Sequence, residues 1–306
     1  MRDTVAVQAP SAIVPFSIRQ LVVGLELGQT DDQLIAYAQY LTRQIPTSSA
    51  HFAHVIPAPQ LLEAFYEDLA GRFDVKDSIL KNLDQTVAKF FARQQLRPTY
   101  GAIEGYPLKE LIGIAEKREA DLILIGQKAN TYEHGILAKN FARQSAINTL
   151  IVPEQADVKI SKILVPIDFS PNSVKAFQTA FSLQQRLGDQ VELTCLNVFD
   201  MPNLSAYNLA RSPEKFKEFI VESRKEAFEN FFNSYAPKQE HKIPGVLIER
   251  QGPGLSNYIL DYAKENDFDL IVIGAKGHSS LERLLMGSVT EKLLTINETI
   301  PTLVVK

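Results

Sequence analysis

Short runs of consecutive apolar residues alternate along the chain with longer stretches in which apolar residues recur every three or four positions. The short runs are typical of parallel strands covered on both faces, and the longer stretches are typical of amphipathic helices. This alternation indicates βαβ units and therefore an α/β fold with parallel sheets. It predicts five strands in each half of the chain. The ten strands are expected near residues 21–26, 51–55, 100–103, 121–126, 149–152, 162–167, 191–198, 246–250, 269–274 and 302–305.

Several of the predicted helices have a recognisable start. Ser170 and Pro171 are the residue types favoured at an N-cap and at the first helical position. Residues 30–33 (TDDQ) and 288–291 (SVTE) each have the spacing of a capping box, which makes their first residues the expected N-caps. Long helical segments are expected near 60–95 and 213–234, and shorter helices at 107–118 and 254–265.

The chain repeats itself at a long interval. Residues 121–126 (DLILIG) recur almost letter for letter as residues 269–274 (DLIVIG), 148 positions later. Milder matches between other strands lie 142 and 153 positions apart, and short gaps explain the differences. Such an interval indicates two tandem domains rather than a solenoid, whose repeats span about 20 to 50 residues. The polar stretch 153–157 is the expected boundary, which gives domains 1–155 and 156–306.

The clearest chemical signal follows the strand at 269–274. Gly274 and Gly277 lie at its carboxyl end, where ligands bind in open α/β sheets, and Gly287 precedes a predicted helix. Glycines permit positive φ and close backbone approach, so N–H groups can face an anion, and a helix start offers further unpaired N–H groups. The pattern predicts a phosphate-binding site. The alternative is structural, with glycines forming a turn and Ser288 capping the helix.

Other nucleotide motifs and several classes of partner are disfavoured. The strand at 162–167 lacks the G-x-G-x-x-G of dinucleotide-binding domains, and no G-x-x-x-x-G-K-[ST] occurs, which argues against a dehydrogenase and a Walker-type NTPase. The formal net charge is −4, and the Lys and Arg residues are scattered along the chain without forming a basic stripe. We therefore expect neither nucleic acid nor an anionic membrane as a partner. No apolar run approaches the length of a membrane span or a signal sequence, and a cytoplasmic location is expected.

The glycine loop after the fourth strand of the second half resembles that of the universal stress protein family, in the tandem form with two copies per chain. The family's ATP-binding members carry G-x2-G-x9-G-[ST], and residues 274–288 match this spacing. The resemblance covers nearly the whole chain and implies two doubly wound domains, each a five-stranded parallel sheet in the order 3-2-1-4-5 flanked by helices. Family members commonly dimerise through their last strands. The strands at 150–152 and 303–305 are therefore expected to pair as an intramolecular pseudo-dimer, with or without a further homodimer.

The resemblance also implies a site in the second half, with ATP as the ligand. Asp168 would accept a hydrogen bond from the ribose or adenine, or alternatively would cap the turn before Ser170. Lys276 would add positive charge or lie solvated in the loop. Mg²⁺, if it accompanies ATP, would be held mainly by phosphates and water. The site comprises a base pocket of Pro166, Ile167 and Val198, the carboxylate Asp168, and the phosphate loop and helix start of Gly274, Lys276, Gly277, Gly287, Ser288, Val289 and Thr290.

The first half departs from this pattern, and a Cβ in place of a glycine would crowd the approach to phosphate. We therefore expect a single nucleotide site, in the second half, and a structural or regulatory role for the first. At a constant interval of 148, Gly126 corresponds to Gly274, Ala129 to Gly277, Lys139 and Asn140 to Gly287 and Ser288, and Arg143 to Glu291, while Gly24 and Glu26 correspond to Pro166 and Asp168.

Other candidate chemistry is weak. Cys195 lies in an apolar run typical of a buried thiol. His51 and His54 lie three apart in a predicted strand, so they point to opposite faces and do not chelate one metal together. His278 either contacts phosphate or is an exposed or capping residue. The phenylalanines within 216–232 indicate packing in a core or a dimer face.

Three functions remain open at this stage. The favoured one is an ATP-binding regulatory protein of the stress response, whose nucleotide state changes its affinity for an unknown protein partner. The second is a slow ATP hydrolase, for which the sequence supplies no evident general base. The third is a nucleotide-free interaction module with a purely structural glycine loop. No catalytic residue and no protein metal site is assigned.

Overall fold

A computed structural model describes residues 16–28, 30–57, 75–128, 134–201, 213–236, 243–277 and 286–306. The strands are β1 (Gln20–Leu25), β2 (Ser49–Pro57), β3 (Thr99–Gly105), β4 (Leu122–Gln127), β5 (Asn148–Pro153), β6 (Lys162–Pro166), β7 (Glu192–Asp200), β8 (Gly245–Arg250), β9 (Leu270–Gly274) and β10 (Thr302–Val305). The helices of the described ranges are α1 (Asp31–Gln44), α2 (Val75–Phe91), α3 (Pro107–Lys117), α4 (His134–Gln144), α5 (Pro171–Leu187), α6 (Pro213–Tyr235), α7 (Leu255–Glu265) and α8 (Ser288–Ile296).

The ten strands form one sheet in the order β3-β2-β1-β4-β5-β10-β9-β6-β7-β8. Within each half every pairing is parallel, and both halves have the order 3-2-1-4-5 when their strands are numbered separately. Each half is therefore a doubly wound, Rossmann-like unit, and the predicted fold class is confirmed. In both halves the order reverses beside the first strand, which is where such sheets open a crevice for ligands.

The two halves join through their last strands. Strands β5 and β10 pair antiparallel, with Leu150 opposite Leu303, as predicted for an intramolecular pseudo-dimer. Each strand therefore covers the edge that the other would expose. Across the same junction the buried amide of Gln127 donates to the carbonyl oxygen of Asn297 at 3.2 Å.

The continuous apolar runs are explained by burial on both faces of the sheet. In β4, Leu122 and Leu124 pack into the core on one face, while Ile123 and Ile125 pack into the core on the other. Both cores include residues of both halves, so the apolar layers continue across the junction. Alternation of successive side chains between two covered faces is the physical reason why no polar position interrupts these strands.

The helix starts confirm the predicted N-cap positions Ser170 and Thr30 and correct the third, Ser288. Ser170 is the N-cap of α5, and its hydroxyl accepts from the N–H of Ser173 at 3.2 Å. Thr30 makes no side-chain capping bond; instead the carboxylate of Asp31 accepts from the N–H groups of Glu26 and Leu27 at 3.2 and 2.7 Å. The predicted capping box at Ser288 is wrong, because Gly287 occupies the N-cap position of α8 and has no side chain.

The remaining predicted elements correspond to helices with adjusted bounds. The helix predicted near 60–95 is described over Val75–Phe91, and residues 60–74 of that prediction lie outside the described residues. The aromatic residues of α6 pack as a core on one side of that helix: Phe228 and Phe231 are buried against Phe169, with ring centroids 5.3 and 5.9 Å away. Phe219, farther toward the start of the helix, is 66% exposed.

Candidate functional site

A cavity of about 220 Å³ opens beyond the carboxyl ends of β6, β7 and β9, at the reversal of strand order in the second half. The eleven residues predicted from the sequence all line this cavity, although they come from four separate segments of the chain. They are Pro166, Ile167, Asp168, Val198, Gly274, Lys276, Gly277, Gly287, Ser288, Val289 and Thr290.

One end of the cavity is apolar, and part of it was missed by the sequence reasoning. Leu255 and Ile259 of α7 line it together with Leu196 and Ile273, which are core strand residues. The sequence did contain a signal for Leu255 and Ile259. They are apolar residues four positions apart at the start of the helix that follows β8, and such residues share the helix face that packs on the sheet. The backbone beside this end is held by Asn197, whose amide donates to the carbonyl oxygen of Ile167 at 2.7 Å.

The glycines provide space rather than unusual backbone angles. Positive φ among the described glycines occurs only at Gly105, Gly188 and Gly254, so Gly274, Gly277 and Gly287 do not use the positive φ that glycine permits. A Cβ on Gly277 would lie 2.6 Å from the Oδ2 atom of Asp168. A side chain at this position would therefore displace the carboxylate from the cavity.

Asp168 makes the turn-capping contact that was one of its two predicted roles, and its carboxylate also lines the cavity. Its Oδ1 atom accepts from the N–H of Ser170 at 2.9 Å, which is the expected turn-capping contact. Its Oδ2 atom faces the backbone of Gly277, on the wall of the cavity. The carboxylate is thus held by the turn at a position between the first strand and the glycine loop.

Helix α8 begins at the cavity wall with an uncapped amino end. The N–H of Gly287 donates to the carbonyl oxygen of Ala275 at 2.7 Å, which draws the start of the helix against the end of β9. No side chain caps the helix, and no described residue accepts from the N–H groups of Ser288, Val289 or Thr290. These first-turn donors carry the positive end of the helix dipole, so the arrangement suits an anion.

The hydroxyl of Thr290 has a separate role. It is buried and donates to the carbonyl oxygen of Gly274 at 2.8 Å. Because its single hydrogen is used in this bond, Thr290 ties the helix to the strand and offers a ligand only its backbone N–H. Ser288 is exposed, and its hydroxyl is the side-chain donor at this end of the cavity.

Positive charge also lies close to the glycine loop. Burial and, to a smaller extent, the neighbouring charge of Lys276 together lower the pKa of Lys306 to about 8. The Lys306 ammonium donates to the carbonyl oxygen of Ala142, and Lys276 lines the cavity. His278, the remaining candidate at the loop, lies outside the described residues.

Comparisons with known proteins identify the family. Residues 159–306 match the model of the universal stress protein family. The chain is 32% identical to universal stress protein YxiE of Bacillus subtilis (strain 168) over 150 residues, which span 48% of this chain and 99% of that protein. It is 30% identical to a universal stress protein of Methanocaldococcus jannaschii over 145 residues, 47% of this chain and 81% of that protein. The chain belongs to the universal stress protein family.

The complete two-half architecture also has counterparts among solved structures. A universal stress protein from Archaeoglobus fulgidus DSM 4304 superposes with a TM-score of 0.64 at 15% identity, covering 96% of this chain and 98% of that one. A structure from Pseudomonas aeruginosa UCBPP-PA14 gives 0.65 at 17% identity, with 94% and 93% covered. At these identities the likeness concerns the fold, and it extends the universal stress protein fold over both halves of the chain.

Helices α4 and α8, which follow β4 and β9, show that the constant interval of 148 residues does not pair the correct residues of the two halves in this region. Helix α4 ends with the N–H of Ser145 donating to Phe141, and α8 ends with the N–H of Asn297 donating to Leu293. Residues 145 and 297 are 152 apart, not 148. Buried and exposed positions also match along the two helices at this interval. The segment between the strand and the helix is therefore four residues shorter in the first half.

With this interval, Gly135 corresponds to Gly287, Ile136 to Ser288 and Ala138 to Thr290. The prediction that Lys139 and Asn140 replace Gly287 and Ser288 is wrong, because a loop deletion shifts the register. Arg143 does not replace Glu291; its guanidinium lies 3.9 Å from the Glu291 carboxylate across the junction. Ala129 lies outside the described residues.

The other candidate residues have structural partners. The Nδ1 atom of His51 lies 2.9 Å from the Thr99 hydroxyl, and the Nδ1 atom of His54 lies 2.9 Å from the carbonyl oxygen of Leu25. Within the described ranges, no group of three or more His, Cys, Asp or Glu residues is arranged to hold a metal ion. None of the described helices combines the length and apolar character needed to cross a bilayer.

Proposed function

We propose that this universal stress protein binds ATP in the cavity of the second half and acts as a nucleotide-dependent regulatory protein in the stress response. The observation that carries the proposal is the convergence of an apolar pocket, a carboxylate and an uncapped helix start on one cavity. In this assignment residues 156–306 form the nucleotide-binding domain, and residues 1–155 form a domain without a phosphate site.

The chemistry of the wall suggests how ATP would lie. The adenine would pack between Ile167, Val198 and Leu255, where burial of apolar surface stabilises a ring. The carboxylate of Asp168 would accept from a ribose hydroxyl. The phosphates would accept from the loop backbone, the first-turn N–H groups of α8 and the hydroxyl of Ser288, with Lys276 adding positive charge.

Mg²⁺, where it accompanies the nucleotide, would be held mainly by the phosphates and water. Asp168 is the only carboxylate among the described residues that line the cavity, and one of its oxygens already accepts from Ser170. A single carboxylate with phosphate oxygens is sufficient for Mg²⁺, which keeps several water ligands.

Calorimetric titration of the full chain with ATP, with and without Mg²⁺, tests the proposal. We expect one equivalent of ATP per chain. In the Gly287→Ala variant the new Cβ would lie 3.4 Å from the Cα of Lys276, an ordinary contact, but it would occupy the space between the loop and the helix start. The fold should persist while ATP affinity falls at least tenfold.

Gly113→Ala is the matched control, because a Cβ at that helical position meets no atom within 4 Å and lies outside the cavity. It should bind ATP as the parent does. Absence of binding in protein freed of copurified nucleotide would refute the proposal and favour the nucleotide-free interaction module. Two equivalents per chain would refute the assignment of one site to the second half.

A further inference from the structure

We propose that the cavity of the first half is a second, independent binding site, for an uncharged and largely apolar small molecule that carries a hydrogen-bond donor such as a hydroxyl group. The cavity has a volume of about 600 Å³, compared with about 220 Å³ in the second half. It lies beyond the carboxyl ends of β1, β2 and β4, at the reversal of strand order in that half. The inference does not depend on ATP binding.

The lining of this cavity is mostly aliphatic. Side chains from both strands and helices contribute, and two of them are large apolar residues that remain exposed at the surface: Tyr106 is 62% exposed and Ile136 is 46% exposed. Exposed apolar groups that border a concave apolar surface are typical of ligand sites. The aliphatic members are Leu25, Leu34, Val55, Leu108, Leu111, Ile125, Ile136 and Leu137.

The end of the cavity that would receive phosphates in the second half has different chemistry here. Ile136 takes the place of Ser288, so an apolar side chain replaces the hydroxyl donor. Ala138 takes the place of Thr290 and cannot make the bond that ties α8 to β9. The residues that suit a phosphate in one half are thus replaced by residues that suit a hydrocarbon in the other.

The charged groups also disfavour an anionic ligand. Lys128, equivalent to Lys276, lies 2.6 Å from the carboxylate of Glu26 and is neutralised by it. Asp31 lines the same wall, where it holds the backbone of residues 26–27, and burial raises its pKa. An entering phosphate would face two carboxylates and one ammonium that is already paired, with no compensating charge among the described lining residues.

His54 supplies the polar contact. Its Nδ1 atom lies 2.9 Å from the carbonyl oxygen of Leu25, and because that oxygen can only accept, Nδ1 carries the proton in the neutral ring. The Nε2 atom is then an acceptor, and no described residue donates to it. A ligand donor that reaches Nε2 gains a hydrogen bond, whereas a ligand with only acceptors does not.

A neutral fluorescent probe tests the site. N-phenylnaphthylamine, which is apolar and carries one N–H donor, should bind the full chain with one equivalent and a blue-shifted emission. Naphthol should displace it more effectively than methoxynaphthalene, which has the same ring but no donor, and naphthyl phosphate should displace it least. His54→Phe should abolish the difference between naphthol and methoxynaphthalene.

Two variants locate the probe. A Cβ on Gly126 meets only the Cδ2 atom of Leu34, at 3.7 Å, so the side chain of Gly126→Leu would grow into the cavity and should abolish probe binding. Ile136→Ser, a surface change that should leave the fold intact, should weaken binding at least threefold. Gly113→Ala is the matched control, because its Cβ meets no atom within 4 Å and the residue does not line this cavity, and it should leave probe binding unchanged.

Probe binding that does not saturate, or that survives both Gly126→Leu and Ile136→Ser, would overturn the proposal. Naphthyl phosphate displacing the probe better than naphthol would overturn the assigned ligand class. Displacement of the probe by ATP in the Gly287→Ala variant would show a nucleotide site in the first half and would also overturn it. None of these outcomes depends on whether the second half binds ATP.

Discussion

A methyl group on Gly274 would lie 2.7 Å from the backbone carbonyl oxygen of Asn172. The end of β9 therefore lies against the first turn of α5 so closely that the glycine is a packing requirement, whatever the cavity binds. The equivalent residue in the first half, Gly126, has no such neighbour: its nearest atom would be the Cδ2 atom of Leu34, at 3.7 Å.

We expect Gly274→Ala to destabilise the fold by about 1–3 kcal/mol, the usual cost of forcing an extra methyl into a packed contact. Gly126→Ala should be neutral or stabilising by a few tenths of a kcal/mol. The alanine lowers the conformational entropy of the unfolded chain, and its Cβ meets no clash in the folded chain. Denaturant unfolding of both variants measures the difference. Equal effects would mean that the backbone at Gly274 moves away easily.

The strands, their order and the cavity could be predicted because each depends on a local pattern. The apolar runs at 121–126 and 269–274 specify strands buried on both faces, and the parallel order then gathers the strand ends at one edge. The site follows from this placement. Pro166, Val198 and Ser288 are far apart in sequence, yet each lies at or near the carboxyl end of a strand or at the start of a helix beside one.

The predictions that failed depend on loop length and on backbone geometry. Four residues missing before α4 change which side chain occupies the position of Ser288. The strand repeats, 148 and 153 positions apart, indicate a gap between the two strands but not on which side of the helix it lies. Residue types that favour an N-cap are present at both Thr30 and Ser288. Thr30 does occupy the N-cap of α1, although without a side-chain capping bond, whereas Gly287 occupies the N-cap of α8 in place of Ser288. Which of two adjacent residues begins a helix is decided by tertiary contacts, here the bond from Gly287 to Ala275.

The junction between the halves contains two polar contacts of different strength. The buried amide of Gln127 donates to Asn297, whereas Arg143 and Glu291 are partly exposed and 3.9 Å apart. Gln127→Leu should destabilise the protein by about 1–3 kcal/mol, because it leaves a buried carbonyl without its donor. Arg143→Ala should change stability by less than about 0.5 kcal/mol.

Denaturant unfolding at low and high salt distinguishes these cases. The Gln127→Leu effect should persist at high salt, because the contact is buried, and any Arg143→Ala effect should disappear through screening. An Arg143→Ala variant at least as unstable as Gln127→Leu would contradict this ranking. It would mean that the ion pair between Arg143 and Glu291 stabilises the junction more than the hydrogen bond from Gln127 does.

His51 makes stability depend on pH. Burial first, and the charge of Arg118 second, lower its pKa from 6.5 to about 4. The unfolded chain therefore binds a proton between those values that the folded chain does not, so stability is full above pH 6.5 and is lost as the pH falls toward 4. The loss attributable to this residue is at most about 3 kcal/mol.

Unfolding midpoints of the parent and of His51→Gln, measured from neutral to acidic pH, test this prediction. The parent should lose more stability than the variant as the pH falls below 6.5, because only the parent has an imidazole at position 51 that takes up a proton on unfolding. Parallel pH profiles would mean that His51 is protonated as readily in the folded chain as in the unfolded chain.

Gly101→Ala should destabilise the folded state for a separate, steric reason, because its Cβ would lie 2.7 Å from the Nε2 atom of His51.

The single cysteine should be unreactive in the folded protein. Cys195 lies in β7 with no exposed surface, and burial raises the pKa of its thiol because the thiolate is disfavoured away from water. A disulfide reagent that releases a coloured thiolate should therefore give no signal with native protein and one equivalent in denaturant. On long incubation under native conditions, the reaction should be no faster than the equilibrium population of globally unfolded chain allows. A reaction much faster than this limit would indicate a local opening of β7, and would mean that the core beneath the cavity of the second half is less rigid than its packing implies.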